Sequence, residues 1–368
     1  MSGTQEQTAR SPTAANRLCL DYRAEAERLG PPVVPIIDVH SHINGTKASV
    51  IFRDVAERFG VERIYSMTRL QEAPIVRDVL GEKIRFIAVP NFMDHQNGRA
   101  FCEGYLDDIS AFHDLGARIV KFWVAPRSRD IGREIGDPTL LSLDHPWRIK
   151  AMELAEELGM MYMVHVADPD TWFATKYTDA SFYGTKRSQY EALESALERF
   201  RSPWIAAHMG GWPEDLEFLS GLLSRHDHLY LDTSATKWMV RELSKHTREE
   251  LLTFLRRWEG RILFGSDIVT TDQHLSEAAA PRGMGHLAST KSEAFELYAG
   301  RYWALRTFWE TDYDGESNIA DPDLAMLDPE RHDAMSAPRL AGKALPPDLL
   351  RQIYHDNARA LLDAWYGP

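Results

Sequence analysis

VVPIIDVHSH, residues 33–42, is the stretch on which the fold turns: an apolar, β-branched run that ends in alternating Asp38, His40 and His42. Such a run reads as a buried strand, and the alternation places those three side chains on one face, toward the interior at the strand's C-terminal end. Working outward, the same form recurs in RIYSMTRL (63–70), RFIAVPNF (85–92), ARIVKFWV (117–124), MYMVHV (161–166), WIAAHMG (204–210), LYLDTSA (229–235) and ILFGSDIV (262–269). Between the runs lie segments such as VIFRDVAERFG (50–60), FCEGYLDDISAFHDLG (101–116), PWRIKAMELAEELG (146–159) and REELLTFLRRWEG (248–260). Their apolar residues fall at three-and-four spacing, and a glycine follows where a helix cap wants positive φ. Strands recurring every ~20–45 residues with helices between them require parallel crossovers. Near-continuous Val, Ile and Leu fits strands covered on both faces.

Eight such units predict an α/β protein of the closed (β/α)8 TIM-barrel type. An open doubly wound sheet is the alternative, but no GxGxxG or GxxxxGKS/T follows the first strand, which removes the commonest nucleotide-binding reason to prefer it. The 368 residues exceed a bare barrel of ~250. The excess falls in a polar N-terminal arm, 1–32, and in an insertion after strand eight, 270–345, expected to act as a lid or interface arm. Residues 33–368 are read as one barrel domain. The insertion carries a helical stretch (292–309) and then a Pro-, Asp- and Gly-rich segment. The amphipathic end, 346–367, is suited to sealing the barrel.

Forty-two Lys and Arg against 55 Asp and Glu give a net charge of −13, which argues against nucleic acid or an anionic membrane as partner. Cys19 and Cys102 are too few and too far apart for a disulfide framework or a thiolate metal site. With no leader-like apolar region and no run of about 18 apolar residues, a cytoplasmic setting and a small-molecule partner are expected.

A His-x-His pair alone is weak evidence for a metal, and the sequence holds a second one. His226 and His228 precede strand seven, at the barrel end where sites are not built, and read as a solvated loop. Position within the strand discriminates: His165 ends strand five, His208 strand six and Asp267 strand eight, so with His40 and His42 they converge on one mouth.

This set, DVHSH, MVHVADP, AAHMGG and LFGSD, resembles the amidohydrolase superfamily. More narrowly it is similar to the amidohydrolase-related group that includes aminocarboxymuconate semialdehyde decarboxylase, γ-resorcylate decarboxylase and pyrone dicarboxylate lactonase. The likeness runs from about Pro35 to the C-terminal helix. It implies that His40, His42, His165 and Asp267 hold one divalent metal, Zn²⁺ first and Mn²⁺ as the alternative, with His208 at the edge. Asp267 or His208 then serves as general base and acid. Lys121 stands on the strand where some members carry a carboxylated, metal-bridging lysine. It is read here as that ligand, as a cation facing substrate, or as one half of a structural ion pair.

Trp123, Arg127 and Arg129 follow at the same face, where a guanidinium fork suits a substrate carboxylate. Trp172 leads an aromatic loop (167–190) that reads as a lid over a planar substrate or as a contact with the insertion or another subunit. The implied activity is metal-dependent hydrolysis of a C–O or C–N bond in a small substrate. A non-oxidative decarboxylase on the same scaffold is the alternative, and an inactive barrel acting as a binding protein comes from another class. In the resembled group decarboxylases often carry Glu-x-His on strand one, so His-x-His leans toward hydrolysis. A homodimer or higher homo-oligomer is expected.

Overall fold

The computed structural model describes residues 11–94, 96–276 and 284–367, so residues 1–10 of the arm and 277–283 of the insertion lie outside the described residues. Parallel strands β1 (Ile36–His42), β2 (Val61–Ser66), β3 (Ile84–Phe86), β4 (Ile119–Trp123), β5 (Met161–His165), β6 (Trp204–Ala206), β7 (Leu229–Asp232), β8 (Ile262–Leu263) and β9 (Ile268–Val269) form two runs, β3-β2-β1-β9 and β4-β5-β6-β7-β8. Backbone hydrogen bonds join the runs at both seams. Ala88 bridges Val120, with Lys121 N donating to Ala88 O at 2.9 Å. On the other side Val39 N donates to Phe264 O at 2.9 Å and Asp267 N to His40 O at 2.8 Å. β8 and β9 are thus two pieces of the eighth strand, interrupted by the turn that carries Asp267.

Alternation along the strands builds two cores. Ile37, Val39, Tyr65, Ile87, Ile119, Met161, Met163, Ile205 and Leu263 fill the inside, while Ile36, Ile64, Val120, Phe122, Tyr162, Trp204 and Leu231 face the helices. Burying each such side chain is worth about 1.5–3 kcal/mol over leaving it exposed. The C-terminal helix Asn357–Tyr366 stops the barrel's far end with Leu361 and Leu362, and its Tyr366 hydroxyl accepts from Arg118 N and donates to Phe86 O. Local signals set the helix ends: Thr247 and Glu250 form a capping box on Arg248–Arg257, and Gly116 (φ 90°) terminates the helix Glu103–Asp114.

Three readings of the sequence change here. The helix Lys291–Glu310 is buried along nearly its whole length, from Ala294 to Trp309, and packs on helices Tyr22–Leu29, Thr46–Arg58 and Thr236–Leu243. It belongs to the outer helical layer, and only the stretch beyond it, with the antiparallel pair β10 (Asp314–Glu316) and β11 (Arg339–Ala341), runs on as a surface excursion.

Asp38 does not share the inner face with His40 and His42. Its neighbours Ile37 and Val39 point inward, so Asp38 faces the helices, where Tyr302 donates to its Oδ2 at 2.7 Å. The pairing of β1 with β2 shifts register between Asp38 and Ser41, and across that irregularity His40 turns into the mouth. His226 is buried rather than solvated, beside Glu194 at 3.5 Å; the pair still lies at the end away from the site. No helix among the described residues is long and apolar enough to cross a membrane.

Candidate metal centre and substrate pocket

The turns after β6, β7 and β8 build the mouth under backbone strain. His208 (φ 58°), Met209 (φ 50°), Ala235 (φ 67°) and Asp267 (φ 59°) all adopt the left-handed region that side-chain-bearing residues avoid. Gly265 lets the strands close around them: a Cβ there would stand 3.0 Å from both His40 Cβ and Ser234 Cβ.

In this frame His42 Nε2 stands 3.2 Å and His40 Nε2 3.5 Å from Asp267 Oδ1. His40, His42 and Asp267 form a group whose ligand atoms lie within 4.8 Å of one another, and His40, His208 and Asp232 form a second. The hydrogen bonds separate the two. His40 Nδ1 donates to Asp232 Oδ2 at 2.8 Å, Ser234 Oγ donates to Asp232 Oδ1, and His208 Nδ1 lies 2.8 Å from Ser234 Oγ. The donor atoms of the second group are therefore committed to one another.

A proton on His40 Nδ1 leaves the Nε2 lone pair directed at Asp267, and the serine likewise leaves His208 Nε2 free. The first group offers imidazole nitrogens and a carboxylate oxygen converging on one point, a donor set that fits Zn²⁺ or Mn²⁺. Asp232 stands behind His40 at 2.8 Å, where a carboxylate would orient a metal-binding histidine.

His165 stands beside these residues, its ring centroid 4.5 Å from that of His208, but falls in neither group. Its Nε2 pairs at 3.0 Å with Asp168 Oδ1, whose other oxygen accepts from Tyr177 at 2.7 Å.

Electrostatics follow the burial. Burial pushes the Asp232 and Asp267 carboxyls up, but the histidines around each outweigh it and hold both well below the usual carboxylate range. Burial lowers His40, with the Lys121 charge adding to the effect, and drives His208 well below its ordinary value, with His165 adding. Both therefore favour the neutral imidazole. Asp38, behind β1, is pushed up to about 6 by complete burial, against hydrogen bonds from Ser266, Tyr302 and His40 N.

Beside His42 opens a cavity of ≈ 270 Å³, walled by Met67, Leu70, Val89, Phe92, Trp123 and Val269 and edged by Asn44, Arg69, Asn91, Asp108 and Lys121. Lys121, 5% exposed, has no hydrogen-bond partner on Nζ. Burial drops it to about 8, although Asp232 and Asp267 pull the other way. A structural ion pair is thus not its role among the described residues. Trp123 also lines this cavity.

Arg127 does not line it: it is exposed, on an adjoining cleft that shares Phe92 and Trp123. Trp172 is drawn elsewhere, donating to Asp323 Oδ2 at 2.7 Å with Lys176 Nζ 3.3 Å over its ring, so this part of the aromatic loop meets the insertion. Asp232, Ser234, Asp168 and Arg69 were not among the expected site residues. Asp232 alone carried a signal, an aspartate closing the apolar run LYLD at the same strand end that marks the others.

The sequence profile of the amidohydrolase family matches residues 44–364. The chain belongs to the amidohydrolase family. The matched part of this amidohydrolase begins just past His42, so the His-x-His pair is carried by the strand geometry rather than by the profile. A search of curated protein sequences returns no match.

Among solved structures the amidohydrolase is similar to a probable 2-pyrone-4,6-dicarboxylic acid hydrolase from Acinetobacter baumannii. The two share 12% identity over 89% of this chain and 99% of that one, with a TM-score of 0.46. A 2,6-dihydroxybenzoate decarboxylase from Rhizobium shares 14% identity over 68% and 87% of the two chains, TM-score 0.37. An N-acetyl-D-glucosamine-6-phosphate deacetylase from Mycobacterium smegmatis shares 13% over 89% and 76%, TM-score 0.39.

Proposed function

We propose that this amidohydrolase is a metal-dependent hydrolase that cleaves a C–O or C–N bond in a small, carboxylate-bearing substrate. The observation that carries the reading is the juxtaposition of an imidazole and carboxylate group with a cavity holding an unpaired, buried ammonium. His40, His42 and Asp267, with His165 beside them, would hold one divalent ion, Zn²⁺ before Mn²⁺. When bound, such an ion supplies Lewis-acid chemistry, polarising a carbonyl and making water acidic enough to react at neutral pH.

The chain's own residues do the rest. Lys121 Nζ draws the substrate carboxylate into the cavity. Met67, Phe92 and Trp123 hold its apolar part and exclude water. His208, fixed through Nδ1 by Ser234, moves a proton at Nε2, and Asp267 shares that work as a base. Asp232 keeps His40 in the tautomer the site needs.

A decarboxylase is the second reading. It is favoured by one observation, that Lys121 and His42 line the same cavity, which would bring a carboxylate close to the reacting centre. The test is turnover of metal-loaded protein over a panel of small carboxylated lactones, esters, amides and hydroxybenzoates, scoring ring or amide opening against CO₂ release. Hydrolytic product that falls about 10²–10⁴-fold in His208→Ala at unchanged metal content is expected. CO₂ release without hydrolysis would overturn the first reading in favour of the second.

A further inference from the structure

The cavity beside His42 contains a second ionisable group that the chemistry above does not use. Asp108 projects into it from the helix Glu103–Asp114, one turn beyond Tyr105, whose hydroxyl ties that helix to Lys121 O at 2.5 Å. Asp108 is half-buried. It accepts one hydrogen bond, from Asn91 N to Oδ2 at 3.2 Å, and no lysine, arginine or histidine among the described residues pairs with it. Its neighbour in charge is Asp107, of like sign, which is itself paired with Arg99. The one guanidinium among the described residues on the same cavity, Arg69, is engaged at 2.7 Å by Glu72.

A half-buried carboxyl that shares a cavity with Phe92, Met93 and Leu70 and has no counter-charge gains from a hydrogen-bond donor brought into that cavity. Burial, with Asp107 adding to it, pushes the carboxyl up to about 6, as expected of an acceptor short of donors. Lys121 poses the opposite demand within the same cavity, a buried ammonium short of acceptors.

We infer that Asp108 is a specificity-determining residue, and that the substrate is a small acid bearing a hydrogen-bond donor, a hydroxyl or an ammonium, away from its carboxylate. This rests on the substrate pocket proposed above and narrows it: Lys121 takes the carboxylate, Asp108 Oδ1 takes the donor, and the aromatic walls hold a flat spacer between them. A volume of ≈ 270 Å³ suits a single ring with two substituents. A dicarboxylate, by contrast, would set its second anion against Asp108.

The experiment is calorimetric titration of the zinc-loaded full chain with benzoate, isophthalate, 3-hydroxybenzoate and 3-(aminomethyl)benzoate. The two donor-bearing probes are expected to bind about tenfold or more tighter than benzoate, the strength of a charge-assisted hydrogen bond, with isophthalate weakest. Asp108→Leu should bring all three monocarboxylates within about threefold of one another. Asp108→Asn, which keeps an acceptor but no charge, should retain the hydroxyl preference and lose the ammonium one.

A preference that survives Asp108→Leu, or isophthalate as the tightest probe, would overturn the inference. Lys121→Met separates it from the pocket itself. If Lys121→Met binds benzoate as well as wild type, or if wild type binds none of the probes, the pocket reading fails and takes the inference with it. If Lys121→Met loses benzoate but Asp108→Leu changes no preference, only the role of Asp108 fails.

Discussion

Replacing Asp232 by Asn exposes the logic of the site, because it changes one proton while leaving the side chain's shape. Asp232 Oδ1 accepts from His208 N at 2.9 Å, Ser234 N at 3.0 Å and Ser234 Oγ, while Oδ2 receives His40 Nδ1 at 2.8 Å. The amide oxygen of Asn can replace Oδ1 on the three donors that hold the β6 and β7 turns. Its NH₂ then meets His40 Nδ1 donor to donor, unless His40 moves its proton to Nε2, the atom that faces Asp267.

Fold and packing should therefore survive, while a lone pair needed for the metal is lost. The expected cost is about 10–100-fold in metal affinity, or ~1.4–2.7 kcal/mol, the range for disturbing a carboxylate behind a ligating histidine. Zinc titration against a competing chelator reads it directly, with urea unfolding of the metal-free protein as the control for folding. A variant that binds zinc within about threefold of wild type would refute the tautomer argument, because a tenfold loss is its least effect.

Other outcomes follow from the same geometry. Tyr302→Phe removes one of the hydrogen bonds onto the buried Asp38 carboxyl and should cost about 1.5–2 kcal/mol in urea unfolding; no change would show that the helix Lys291–Glu310 is not tied to β1 through this bond. Gly265→Ala sets a methyl 3.0 Å from His40 Cβ and Ser234 Cβ, for an expected loss of ~1–3 kcal/mol and weaker zinc binding; normal values for both would show that the strand ends have room to spare.

Lys121→Met should stabilise the metal-free protein near neutral pH while abolishing carboxylate binding. Lys121 titrates near 8 when folded and near 10.4 unfolded, so below pH 8 the folded state bears the full penalty of charging it, about 3 kcal/mol. That penalty fades as pH rises between those values, where the unfolded chain binds the extra proton. The stability gap between variant and wild type should therefore close from pH 8 to about pH 10. A gap flat with pH would contradict the burial of an unpaired ammonium.

Much of the barrel was legible because its strands are nearly uniform apolar runs and its site residues sit where those runs end. The same rule placed His40, His42, His208 and Asp267 together, and it would have found Asp232 had the end of LYLD been weighed like the end of LFGSD. Asp38 was misplaced because strict alternation does not foresee the register shift before Ser41. The sequence left the aromatic loop either as a lid or as a contact with the insertion or another subunit, because Asp323, the partner of Trp172, lies 151 residues away and only tertiary packing reveals that contact. The helix Lys291–Glu310 looked like part of an excursion because it follows the last strand after a long connection. Its nearly all-round burial shows a wall helix instead.

The central claim is that His40, His42 and Asp267 form a metal centre, and metal analysis of the purified full chain tests it most directly. After growth in metal-supplemented medium the protein should carry about one equivalent of a divalent transition metal, and His42→Ala/Asp267→Ala, folded by circular dichroism, less than about 0.2. Wild-type protein with less than about 0.2 equivalents, or a double variant that keeps the full complement, would contradict the account.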